Sequence, residues 1–239
     1  MKKDDLGRRM KENYEMRTRS YIPRRTNIII RLDGKAFHTY TRGLEKPFDY
    51  QLMSDMIEVT KFLCDNIQGC KFGYTQSDEI SLLLTDYDRL NTSAWYDNQV
   101  QKMVSISASL ATAKFNELRP GKLAFFDSRV FSIPEPEEVV NYLIWRQQDA
   151  VRNSVAMAAQ SKYSHKELFK KNSSDMQELL FQKGINWNNY PVRAKRGSAI
   201  TKQYYKKGDS LRSKWDYTDI PTITKDRDFI LDLLPKKGD

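Results

Sequence analysis

The segment "TNIIIRLD", residues 26–33, decides the fold. Its period-two alternation puts Ile28, Ile30 and Leu32 on one face of a strand and Ile29, Arg31 and Asp33 on the other. The strand gives out at Asp33, so an acidic side chain ends an apolar run immediately before Gly34, which lets the backbone turn away. Downstream, Leu52, Met56, Val59, Leu63 and Ile67 recur at spacings of four and three, which predicts a helix capped by Asp49. "KFGYTQSDEISLLLT" (71–85) reads as a hairpin with a tight turn around Gln76, Ser77 and Asp78. A second helix, over 97–118, is rich in small residues that allow close approach to a sheet, and "RPG" stops it. "KLAFFDSRVFSI" (122–133) is a further strand. The order to residue 133 is β-α-β-β-α-β, the split βαβ or ferredoxin-like pattern. The expected class is α+β, a palm-type antiparallel sheet with helices on one face.

Beyond Pro134 and Pro136 a long helix is expected over 137–163, and Ser164 with Glu167 forms a capping box for the next. Further helices and a basic β-ribbon around Gly208 complete the chain. We therefore expect a palm-like core over 1–163, including an N-terminal helical segment and the long helix, and an extension over 164–239 packed on it. No internal repeat is evident. Asp86 to Asp97 lacks periodicity and reads as a mobile loop.

At 239 residues the chain can bury a sizeable core. Its two cysteines, Cys64 and Cys70, have neither CxxC spacing nor nearby histidines, which argues against a zinc site or a disulfide framework. No run is long and apolar enough to span a bilayer, and the N-terminus lacks a signal peptide's apolar segment. A cytoplasmic protein with no membrane partner is the expectation. The net charge of +9, from 40 Lys and Arg, points to a polyanionic partner. In "RAKRGSAITKQYYKKGDSLRSKW" (193–215) cations interleave with aromatics, as phosphate contact and base stacking require. A solvated basic hairpin has the same composition.

In this topology Asp33 and the Asp78-Glu79 pair meet at one sheet edge although Asp33 and Asp78 are 45 positions apart. Clustered carboxylates repel unless a cation lies between them, and Mg²⁺ prefers one or two carboxylates with phosphate oxygens and water. A pair of such ions, about 3.5–4 Å apart, clamps the attacking and leaving oxygens of phosphoryl or nucleotidyl transfer. Gly34 offers a carbonyl to a metal and an N–H to a phosphate. Asp-Gly and Ser-Asp-Glu are also ordinary turn chemistry; two acidic sites at the ends of adjacent strands are what favour the first reading.

With "RLDGKAFHTYTRG" (31–43), "GYTQSDEISLLL" (73–84), "FDSRVFSIP" (126–134), "YLIWRQQDAVRNS" (142–154) and "GINWNNYPVRAKRGS" (184–198), the chain resembles the tRNA-histidine guanylyltransferase family, which extends RNA in the 3′-to-5′ direction. The resemblance implies catalytic roles for Asp33, Asp78 and Glu79. It implies two Mg²⁺ ions on Asp33, the Gly34 carbonyl and Asp78, with Glu79 as a required acidic neighbour. Gly34, Lys35, Ala36, Phe37 and Ser77 would hold a triphosphate, and His38, Lys46, Asp49 and Lys102 would lie near the nucleotide. Taken as residues alone, His38 also fits a core histidine, Lys46 a solvated lysine and Lys102 an exposed helix position.

Candidate RNA contacts are Arg146, Arg152, Asn153, Arg193, Lys195 and Arg196. Arg146 fits an amphipathic helix face equally well. The resemblance further implies ATP and GTP or other nucleoside triphosphates as substrates, tRNA as partner and a homotetramer. Eukaryotic members carry His-Ile-Asn-Asn after their "WRQ" motif. This chain has Val151 and Arg152 in place of the His-Ile and keeps Asn153, which points to the bacterial and archaeal type and to templated repair of 5′-truncated tRNA. Addition of a single G to histidine tRNA, a nucleotide cyclase and a non-catalytic RNA-binding module are the alternatives; no RNP-type aromatic motif supports the last.

Overall fold

A computed structural model of the chain describes residues 5–208 and 210–236. Six strands form one antiparallel sheet: β1 (Asn27–Gly34), β2 (Cys70–Gln76), β3 (Glu79–Thr85), β4 (Phe126–Ser132), β5 (Ser198–Lys207) and β6 (Ser210–Thr218). Their spatial order is β4-β1-β3-β2-β5-β6. The helices are α1 (Leu6–Asn13), α2 (Phe37–Tyr40), α3 (Tyr50–Asn66), α4 (Val100–Leu118), α5 (Pro136–Gln160), α6 (His165–Leu168), α7 (Ser173–Gln182), α8 (Val192–Arg196) and α9 (Asp228–Leu231). The expected β-α-β-β-α-β order holds, with β4 shorter than its apolar run because the chain enters the ladder only at Phe126.

Ile28, Ile30 and Leu32 pack with Met56, Leu63, Met103 and Phe115 from α3 and α4, as their shared face requires. Asp49 caps α3 by accepting the Leu52 N–H at 2.7 Å. The expectation of helices on one face needs correction. Ile29, Phe72, Tyr74 and Leu83 make the other face equally apolar, and Val139, Val140 and Leu143 of α5, with Ile230 of α9, cover it. A sheet apolar on both sides has to be sandwiched. The far end of α5 packs Val155, Ala158 and Ala159 against Leu168, Leu180 and Trp187. The Ser164–Glu167 capping box forms, but on the single turn of α6. Strand β5 pairs with β2, so the C-terminal ribbon continues the sheet.

The segment from Asp86 to Asp97 is pinned, contrary to its reading as a mobile loop. Asp86 is buried and accepts from Arg24 Nε at 2.6 Å and the Arg25 N–H at 2.8 Å, and Trp95 is buried in the core. No helix among the described residues is long and apolar enough to cross a membrane.

Candidate active site

The β1–β3 ladder sets Asp33 directly opposite Glu79, which brings the strand end and the hairpin turn together as the sequence implied. The Gly34 N–H donates to the Asp78 carbonyl at 3.2 Å and the Lys35 N–H to the Phe125 carbonyl at 2.8 Å, tying the turn after β1 to both neighbours. A Cβ on Gly34 would lie 2.2 Å from the Phe37 ring, so only glycine fits over that aromatic. Ala36 and Ser77 both adopt left-handed backbone (φ 55° and 51°). Strained non-glycine residues of this kind collect where a fixed backbone geometry serves a ligand.

Burial pushes the Asp78 carboxyl up to about 6; Asp33 and Glu79 add to the rise and the Ser77 hydroxyl opposes it. The site therefore holds repelling negative charge, which a cation would relieve. Among the described residues no group of three or more His, Cys, Asp or Glu side chains is set to hold a metal. Two carboxylates and a peptide carbonyl remain, all hard oxygen donors. This donor set fits Mg²⁺ where substrate phosphates and water complete the shell.

Beside Asp78 opens a cleft of about 520 Å³, which His38, Lys46, Asp49, Ser77 and Asp78 line, whereas Asp33, Gly34, Lys35 and Ala36 do not line it. Phe37 forms part of its wall, packed at ring-centroid distances of 5.0–5.5 Å on Tyr40, Phe115 and Phe126. Sequence reasoning missed the opposite wall, Met157, Gln160 and Ser161 at the end of α5, and the Thr41–Leu44 stretch. Nothing in the α5 periodicity marks its last turn as facing a ligand. Lys102 does not line the cleft; its ammonium lies 5.4 Å from the Tyr96 ring centroid.

Two expected RNA contacts need correction. Arg146 is 3% exposed and donates Nε and Nη2 to the two oxygens of Glu79 at 2.7 and 2.8 Å. Lys195 is buried, with Nζ donating to the Asn188 carbonyl at 2.5 Å and lying over the Trp187 ring; burial, with Arg196 beside it, holds its pKa below the usual lysine range. Neither side chain reaches a surface where RNA could lie. Arg152 and Asn153 are exposed, Arg196 is half-buried, and Arg193 stacks over Tyr50 at 5.4 Å.

A family profile described as "Thg1: tRNAHis guanylyltransferase" matches residues 7–134, more than half of the chain. The chain belongs to the tRNAHis guanylyltransferase family. The fold agrees over nearly its whole length with a bacterial tRNAHis guanylyltransferase (Thg1)-like protein in complex with ATP. That match has a TM-score of 0.87 and 46% identity, covering 96% of this chain and 99% of the other. A bacterial Thg1-like protein in complex with GTP matches with a TM-score of 0.86 and 47% identity, again over 96% and 99%. Among curated relatives, the tRNA(His) guanylyltransferase of Debaryomyces hansenii is 27% identical over 214 residues, 79% of each chain. The matches to the Thg1-like structures span 96% of the chain and so extend beyond residue 134, where the family profile ends.

Proposed function

We propose that the cleft beside Asp78 binds a nucleoside triphosphate and that the chain adds nucleotides in the 3′-to-5′ direction to the 5′ end of tRNA, copying the opposite 3′ strand. One observation carries this reading. The strand-end carboxylates and the cleft occur in a chain 46% identical, over almost its full length, to a bacterial Thg1-like protein in complex with ATP. The sheet order β4-β1-β3-β2 with carboxylates at strand ends supports a palm-type core, residues 1–163, with residues 164–239 as a helical and β-hairpin extension packed on it. As in the wider family, the 5′-monophosphate is first activated with ATP, releasing pyrophosphate. The 3′-hydroxyl of the incoming nucleoside triphosphate then attacks the activated phosphate, and AMP leaves.

Each residue has a part in this. The Gly34 and Lys35 N–H groups are held by the Asp78 and Phe125 carbonyls, so the amides of Ala36 and Phe37 and the Ser77 turn are the ones that meet the triphosphate, with left-handed Ala36 and Ser77 fixing their direction. Lys46, exposed on the cleft wall, neutralises phosphate charge. His38 and Asp49 face the nucleotide from the same wall, and Asp49 also holds the start of α3. Asp33, Asp78 and the Gly34 carbonyl would hold Mg²⁺, which when bound acidifies the attacking hydroxyl and neutralises developing charge. No protein nucleophile is needed. Arg152, Asn153, Arg193 and Arg196 are the surface groups for RNA phosphates, and a homotetramer is the expected assembly, checked by light scattering.

The test supplies 5′-monophosphorylated tRNA lacking its first nucleotide with ATP, Mg²⁺ and each labelled nucleoside triphosphate in turn. Addition only of the nucleotide that pairs with the opposing base is expected. Addition of G whatever the opposing base would replace this reading with G addition to histidine tRNA, and a cyclic nucleotide made without RNA would replace it with a cyclase.

A further inference from the structure

Behind the two metal carboxylates lies a charge network that the reaction does not touch. The Glu79 carboxylate, 5% exposed, accepts three guanidinium hydrogen bonds: two from Arg146, at 2.7 and 2.8 Å, and one from Arg31 Nη2 at 2.7 Å. Arg146 Nη2 also donates to Asp149 Oδ2 at 2.8 Å, and Asp149 Oδ1 accepts from Arg152 at 2.7 Å. The Trp145 ring packs on the guanidinium of Arg146, 4.3 Å from its central carbon. A carboxylate offers about four lone-pair sites, so a Glu79 engaged three times has little left for a metal.

Glu79 is nonetheless fixed between the two groups that matter. It follows Asp78 in the chain and stands opposite Asp33 in the ladder, and the Asp78 carbonyl holds the Gly34 N–H. Arg31 gives Glu79 a single bond, and its buried Nε has no hydrogen-bond partner among the described residues. Arg146 grips both oxygens in the fork geometry that lysine cannot reproduce. A buried ion pair is seldom more stable than an apolar pair of the same volume, so stability alone does not account for this one.

We infer that Arg146 is a positioning residue of the active site: by clamping Glu79 it fixes the β2–β3 turn so that Asp78 stays beside Asp33, while Glu79 itself supplies no metal ligand. The inference rests on Asp33 and Asp78 being the metal carboxylates, and its test keeps the two claims apart. Wild type, R146K, R146M, E79Q, the E79Q/R146M double variant, D33A and D78A are compared in Mn²⁺ binding by electron paramagnetic resonance with a non-hydrolysable ATP analogue. Circular dichroism melting and the kcat and KM for ATP in 5′-adenylylation complete the comparison.

For R146K we expect a melting temperature within a few degrees of wild type and a KM for ATP within about twofold. Its kcat and Mn²⁺ affinity should each fall about tenfold or more. The double variant should be no weaker in Mn²⁺ binding than the weaker of its single parents, because both substitutions release the same clamp. Wild-type Mn²⁺ affinity and kcat in R146K would overturn the inference. So would E79Q and R146M losses that multiply in the double variant, since Glu79 would then act on the metal independently. R146K carries the test if R146M does not fold. Mn²⁺ binding that survives in both D33A and D78A would instead overturn the metal site itself, whatever Arg146 does.

Discussion

At Gly34 a single missing atom group decides whether the site can form. A Cβ there would lie 2.2 Å from the Phe37 ring, and Phe37 cannot step aside because Tyr40, Phe115 and Phe126 enclose it. We predict that Gly34→Ala costs about 1–3 kcal/mol of stability in urea denaturation, the usual range for overpacking, and removes most nucleotide addition. Asp78 presents the opposite balance. Its burial and the nearby Asp33 charge make its ionised form costly in the metal-free protein. Asp78→Asn should therefore stabilise that protein by roughly 1 kcal/mol, read as a rise in Tm of about 2–4 °C, while nucleotide addition falls by about 10²-fold or more. A lowered Tm would show that the carboxylate supports the fold instead. The carboxylates were legible in the sequence because an acid at the end of an apolar strand is conspicuous. Arg146 was not, since helical periodicity cannot distinguish an arginine facing a buried carboxylate from one facing RNA; only the ladder that places Glu79 under α5 does so.

Among the elements, the strands and the long helices follow from periodicity, and what escaped is order without a period. The segment from Asp86 to Asp97 is held by side chains whose partners lie 61 and 62 positions away, at Arg25 and Arg24, and by Lys71, which pairs with Asp88. Such bonds leave no local signature, so an aperiodic polar stretch reads as mobile. The same blindness hid the second helical layer: helices on one face would leave the Ile29 face uncovered, whereas α5 and α9 bury it completely. We predict that Asp86→Ala costs about 2–4 kcal/mol, because it leaves Arg24 without its buried partner and the Arg25 N–H without an acceptor. Hydrogen exchange should then accelerate across residues 86–98 and leave β1 and β3 protected. An unchanged exchange pattern would mean that Trp95, buried in the core, holds the segment without help.

Over the whole molecule, the +9 charge is distributed unevenly, and the ribbon is where it stands clear of the core. Only Ser198–Ile200 of β5 pair with β2, and Trp215, opposite Lys202, is still buried in the core, so β5 and β6 project as a two-stranded arm from Gln203 to Lys214. An isolated hairpin contributes little to stability. This arm exposes Tyr204, Tyr205 and Leu211 beside Lys206, Lys207 and Arg212, a combination suited to phosphates and unpaired bases. If the arm grips the tRNA body, the triple variant K206A/K207A/R212A should bind tRNA more weakly. The slope of log affinity against log salt concentration should flatten by about 0.7–0.9 for each phosphate the arm no longer neutralises, or roughly 2–3 in all. The KM for ATP should not move, because the nucleotide cleft lies at the opposite end of β2, beyond the Ser77 turn. A weakened affinity with an unchanged slope would assign the arm to stacking through its tyrosines, and unchanged affinity would move tRNA recognition to the α5–α8 surface of Arg152 and Arg196.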